Sequence, residues 1–282
     1  MPPRQKKTTL SLGKILIFAA TILIATYAWH SLAENGAIAG KDKQEHGQHA
    51  GPAYELLDVA MPDSIESIYV EYTGMKLSFN PRLHIPNWVA WELTGNETRG
   101  TVKRENKFFC DESVRGCAET YDYSYSGYDR GHMAPAGDMK WDPQAMHETF
   151  YLTNICPQAK SLNTGAWKRL EEKCRTWARA DSSIIIICGP VVTDRPIEYI
   201  GDTRVAVPRR FFKVIISPYA TPPRGIGFLM PNGKVHGGMQ EAATTIDEIE
   251  RITGYDFFHS LPDNMESAIE SQCDFHYWST IK

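Results

Sequence analysis

The sequence predicts an α+β domain in which strands and helices follow one another in mixed order rather than in strict βαβ alternation. Three observations carry this. Short runs of strand composition recur between turn residues. One long stretch repeats its apolar residues at three- and four-residue steps. Hydrophobic residues make up 42% of the 282 positions and include seven tryptophans, enough for a real core rather than a disordered chain. Residues 61–282 show no internal repeat and no break in composition, and are read as one domain.

The N-terminal 33 residues stand apart. Arg4, Lys6, Lys7 and Lys14 form a basic flank, Ile15 to Trp29 is uncharged and mostly apolar, and Ser31-Leu32-Ala33 supplies small residues at a peptidase-like spacing. That is the pattern of an export signal, either cleaved or kept as a signal-anchor in the inner membrane. The expected location is periplasmic or extracellular. Residues 34–60 are polar and Gly/Ala-rich and read as a linker.

Within the domain, Ser67–Tyr72 has strand composition, Gly74 turns the chain, and Leu77–Asn80 is its hairpin partner. Asn87–Thr94 reads as a buried strand. Asp142-Pro143 opens a helix to about Glu148, Pro being favoured at the first helical position. A longer helix is marked from Asn163 to Ala180, with Trp167, Leu170, Cys174 and Trp177 on its buried stripe and Lys168, Glu172, Arg175 and Arg179 on the other face. Ser183–Cys188, Phe211–Ile216 and Gly225–Met230 read as further strands. Thr245–Thr253 is a short amphipathic helix stopped by Gly254.

All six cysteines follow residue 33, so export would permit disulfides. Cys110 and Cys117 flank a short polar segment and are the first candidates for a bridge; connectivity among the rest cannot be read from sequence. Residues 1–33 hold 4 of the 30 basic side chains, leaving 26 against 34 acidic ones, a net of −8. A binder held to nucleic acid by bulk charge alone is usually basic. Any positive potential here must be local.

The chemistry concentrates in Asp129-Arg130-Gly131-His132. A glycine permits a tight turn or a close backbone approach, which would bring Arg130 and His132 to one small volume. A permanent cation shaped for phosphate oxygens beside a group that accepts a proton near neutrality suits phosphoryl chemistry. Downstream, Asn154-Ile155-Cys156-Pro157-Gln158 follows an apolar segment at an expected strand end. Asn163 and Glu171 lie eight positions apart, roughly 80° around a helix axis, and can face one ligand. Their oxygens are hard donors of the kind Mg²⁺ accepts.

Asp-Arg-Gly-His, then Asn-Ile-x-Pro-Gln, then Leu-Asn-x-Gly-Ala-Trp-x-x-Leu-Glu, in this order, resembles the DNA/RNA non-specific endonuclease family of the ββα-metal (His-Me finger) group. The likeness extends through Cys188-Gly189-Pro190, Val207–Val214 and Thr245–Gly254. It implies a mostly antiparallel central sheet flanked by helices and hydrolysis of DNA and RNA with Mg²⁺, or alternatively Mn²⁺. It makes His132 the general base, Asn163 the direct metal ligand and Glu171 the holder of the metal's waters. Arg130 would stabilise the transition state, and Asn154 would orient water or substrate. Arg104 would grip a phosphate, with Arg99 as its rival.

Taken singly, each residue has a plainer reading. His132 would be a half-buried histidine, Asn163 a helix cap, Glu171 a surface charge paired with Arg175, and Asp129 a turn-stabilising carboxylate. Two other functions stay open: a catalytically silent, envelope-anchored nucleic-acid-binding module, favoured by the net −8, and a phosphodiesterase on a small substrate. Oligomeric state is undetermined, a homodimer included.

Overall fold

A computed structural model describes residues 55–282; the expected signal segment and residues 34–54 of the expected linker lie outside them. The last six linker residues belong to the domain. Leu56 and Leu57 are buried, and β1 (Val59–Ala60) pairs with β13 (Asp256–Phe257).

One seven-stranded sheet organises the chain, in the order β12-β11-β10-β7-β4-β3-β2 with every neighbour antiparallel. Its members are β2 (Ile68–Glu71), β3 (Lys76–Asn80), β4 (Ile85–Thr94), β7 (Ser183–Pro190), β10 (Arg210–Ser217), β11 (Arg224–Pro231) and β12 (Ala243–Thr244). Every residue of β7 is buried, because both faces of the sheet are covered. That is why Ile184–Ile187 reads as a continuous apolar run rather than an alternating one.

On one face lies α2 (Lys168–Ala180), which inserts Leu170, Cys174 and Trp177 against the sheet. Trp177 stacks on Phe228 with centroids 6.3 Å apart. On the opposite face sit α4 (Ile246–Thr253) and α5 (Asp263–Glu270). Thr245 caps α4, its hydroxyl accepting from the Glu248 amide, and Gly254 ends it at φ +74°. These two helices approach closely because β11 carries glycine where they dock. A Cβ on Gly225 would meet Ile269 and Ile246, and one on Gly227 would meet Ile249.

α1 (Pro143–Glu148) starts where Asp142 accepts the Ala145 amide at 2.8 Å, as its sequence predicts. Periodicity did not reveal the short elements: the β8–β9 ribbon (Tyr199–Ile200 with Val205–Ala206), α3 (Gly238–Ala242), α5 and α6 (Phe275–Thr280). Among the described residues no helix is long and apolar enough to cross a membrane.

Candidate active site

The Asp129–His132 segment is a strand rather than a tight turn. It forms β5, antiparallel to β6 (Ile155–Gln158), with Gly131 opposite Cys156 and His132 opposite Ile155. Strand alternation, not a bend, puts Arg130 and His132 on one side. The glycine serves close approach, since a Cβ there would overlap the Gln158 side chain.

His132 is 8% exposed and its Nε2 has no hydrogen-bond partner. The ring lies 4.9 Å from that of Phe150 and 5.4 Å from that of Phe108. Burial, reinforced by the Arg104 charge, pushes its pKa down to about 3, so the imidazole is neutral at physiological pH. Arg130 sits across the same Phe108 ring, 5.4 Å from its centroid and 5.6 Å from that of Tyr123. One of its terminal nitrogens donates to the Thr120 carbonyl, while its Nε is buried without a partner. Arg104 is exposed and lies 5.1 Å from the Phe150 centroid. Its charge acts on both His132 and Glu171. Arg99, itself exposed, ends a single 3₁₀ turn, Glu97–Arg99.

The predicted long helix does not begin as an α-helix. Leu162–Trp167 is a π-helical segment, broken at Gly165, that passes into α2. The angle reckoned for a regular helix therefore does not apply between Asn163 and Glu171. π-turns occur often at functional sites. This one is tied to β5 twice. Asn163 donates through Nδ2 to Asp129 Oδ2 at 2.9 Å, and Trp167 Nε1 donates to the His132 carbonyl at 3.2 Å. Asp129 thus orients the amide instead of stabilising a turn, and Asn163 Oδ1 is left facing away from it.

Glu171 is half-buried, and no hydrogen bond to its carboxylate occurs among the described residues. Burial pushes its pKa up to about 7; Lys213 pulls it down and Asp138 pushes it up. An oxygen donor on a fixed amide and a desolvated carboxylate without a partner fit a hard divalent ion, whose charge would offset the burial of Glu171. Asn163 and Glu171 are the residues that would hold it.

Asn154 is placed differently from expectation. It ends a short 3₁₀ turn (Leu152–Asn154) before β6, not a strand, and is fully buried. Its amide accepts from the Ala134 N–H and donates to the Ala134 and Thr149 carbonyls, each at 2.9 Å. With these three bonds to backbone, Asn154 braces the loop after His132. Cys110 and Cys117 are free thiols, although in contact with each other; the expected bridge is not formed. Arg175 pairs with Asp138 at 2.7 Å, not with Glu171.

Sequence reasoning missed two charged residues beneath the site. Asp138, 1% exposed, accepts from Arg175 and from Trp91 Nε1. Lys213 is fully buried, its Nζ 4.4 Å from the Trp167 centroid and 5.1 Å from that of Trp91. A lysine inside the apolar run Phe211–Ile216 was the available signal.

The site thus consists of a two-stranded ribbon carrying Arg130 and His132, bonded through Asp129 and the His132 carbonyl to the π-turn that leads into α2. Residues 54–264 match the DNA/RNA non-specific endonuclease family, and the chain belongs to it. It is similar to the mitochondrial nuclease EXOG of mouse, 35% identical over 67% of this chain and 56% of the relative. Human mitochondrial endonuclease G is 35% identical over 66% of this chain and 67% of the relative. A nuclease of Nostoc is 30% identical over 76% and 80% respectively. Against the mouse and zebrafish EXOG proteins, the chain spans only 56% and 60% of their lengths. Among solved structures, one of an EndoG/EndoGI complex superposes with a TM-score of 0.65 at 30% identity, covering 70% of this chain and 88% of that one. The fold is thus the α+β, ββα-metal architecture that the sequence resemblance implied.

Proposed function

We propose that this chain is an exported, metal-dependent endonuclease that hydrolyses phosphodiester bonds of DNA and RNA without sequence preference. The observation that supports the reading is the double tie between β5 and the π-turn, which fixes the strand that carries His132 against the segment that carries Asn163. His132, neutral and with an unpartnered Nε2, takes the proton of the attacking water. Arg104 and Arg130 grip the phosphate and face the charge that grows on it. Asn163, turned by Asp129, and Glu171 would hold Mg²⁺. The bound ion would neutralise charge on the leaving oxygen. Contacts of this kind fall on phosphate and not on base edges, so little sequence preference follows. Export to the periplasm or beyond is supported by the basic flank and the apolar run Ile15–Trp29.

The test is cleavage of plasmid DNA and of RNA by the purified full chain with Mg²⁺, with and without chelator. Wild type should cut both, and His132→Ala should lose roughly 10²- to 10⁴-fold in rate. Uncut substrate with wild type, accompanied by salt-dependent binding, would instead favour the silent binding module.

A further inference from the structure

Away from His132, on the opposite face of the sheet, two helices turn acidic sides toward each other. Asp247 and Glu250 lie three residues apart on α4, and Glu270 ends α5. One oxygen from each falls within 4.8 Å of the others. We propose that Asp247, Glu250 and Glu270 form a second cation site, suited to a calcium-sized divalent ion, that clamps α4 to α5.

Carboxylates gathered on a surface do not by themselves make a site; the bonding state of Glu270 is what distinguishes this group. Glu270 is 5% exposed, and its Oε1 is buried with no hydrogen-bond partner. Glu250 uses one oxygen to accept the Phe257 amide at 2.8 Å. Among the described residues, no hydrogen bond joins any two of the three carboxyl groups. A shared proton would require oxygens about 2.5–3.0 Å apart. Two oxygens on one Ca²⁺, each at about 2.3–2.6 Å, can stand up to roughly 5 Å apart, whereas Mg²⁺ at about 2.0–2.1 Å limits them to about 4.2 Å. Oxygens that all lie within 4.8 Å of one another fall inside the span that a calcium-sized ion can bridge.

The surroundings supply no alternative counter-charge to Glu270. Burial and then the negative charges of Glu250, Glu266, Asp247 and Asp256 push its carboxyl up to about 9. Glu250 is pushed up to about 7, burial first, against the amide bond from Phe257 and with Asp256, Asp247 and Glu266 adding to the rise. His259 acts on Glu266, which Asp256 and Asp263 also face, and Arg251 is bound to Glu248. The docking of both helices through Ile246, Ile249 and Ile269 onto glycine positions of β11 leaves these carboxylates little room to separate.

Thermal unfolding of the full chain tests the assignment. It is followed at pH 8 in chelator, in CaCl₂ and in MgCl₂, with Asn163→Ala as background so that an ion at the candidate active site does not contribute. Calcium at about 100 times its Kd should raise Tm by roughly 5–10 °C, and magnesium should give a smaller rise. Asp247→Asn and Glu270→Gln should each abolish the calcium effect. Asp247 is exposed, so its variant keeps the comparison sound if Glu270→Gln fails to fold. A calcium shift that survives in Asp247→Asn, an equal shift with magnesium, or no calcium shift at all would each overturn the proposal.

Discussion

The carboxylate of Asp129 does for Asn163 what an amide cannot do for itself: it fixes which end faces a ligand. Groups that orient a metal ligand from behind are typically worth 10- to 100-fold in metal affinity. Asp129→Asn should therefore raise the Mg²⁺ concentration needed for half-maximal cleavage by about that factor while leaving the fold intact, as a metal titration of activity would show. Asn154 belongs to a different category. Replacing it with Ala strands the Ala134 N–H and two carbonyls in the interior, each buried group costing roughly 1–3 kcal/mol. Asn154→Ala should lower Tm sharply, with cleavage lost only as folded protein is lost. Both roles were invisible in the sequence, because a side chain's partners at 20 or 34 positions' remove leave no local mark.

The ribbon of β5 and β6 and the π-turn are the elements that make the site. The ribbon depends on Gly131, over which Gln158 lies too close to admit a Cβ. Gly131→Ala would push Gln158 and the neighbouring Arg130 and His132 apart, with an overpacking cost of about 1–3 kcal/mol. Thermal unfolding should register that loss, and activity should fall further than stability does. The elements that were legible in sequence had strong periodicity or caps: Ser183–Cys188, the Trp167–Trp177 stripe, and the helices begun by Asp142 and Thr245. Those missed are short and held by tertiary contacts. The two-residue strands β8, β9, β12 and β13 carry no periodic signal at that length. The π-turn shares its composition with an α-helix and differs only in bonding.

For the whole molecule, the sheet order follows from β4, β7 and β10 being apolar on both sides, while its two sides become distinguishable only once α2 and the α4–α5 pair are docked. Its net charge did not betray the site, since Arg104, Arg130 and Lys213 gather locally in an acidic chain. Stability carries a signature of the buried imidazole. Below an unfolded-state pKa near 6.5, the unfolded chain takes up a proton on His132 that the folded chain refuses until about pH 3. This contribution is complete above pH 7 and is lost as pH falls from 6.5 toward 3. Glu171 works in the opposite sense, its raised pKa withdrawing stability as pH rises through 7. Comparing Tm of wild type and His132→Gln across pH isolates the first effect: the wild type should lose ground to the variant only on the acid side.

The bonds that join Asp129 to Asn163 and His132 to Trp167 have a thermodynamic corollary. Where one ligand firms this unit for the other, linkage makes their influence symmetric. A non-cleavable oligonucleotide should therefore tighten the chain's hold on Mg²⁺ by the same factor by which Mg²⁺ tightens its hold on the oligonucleotide.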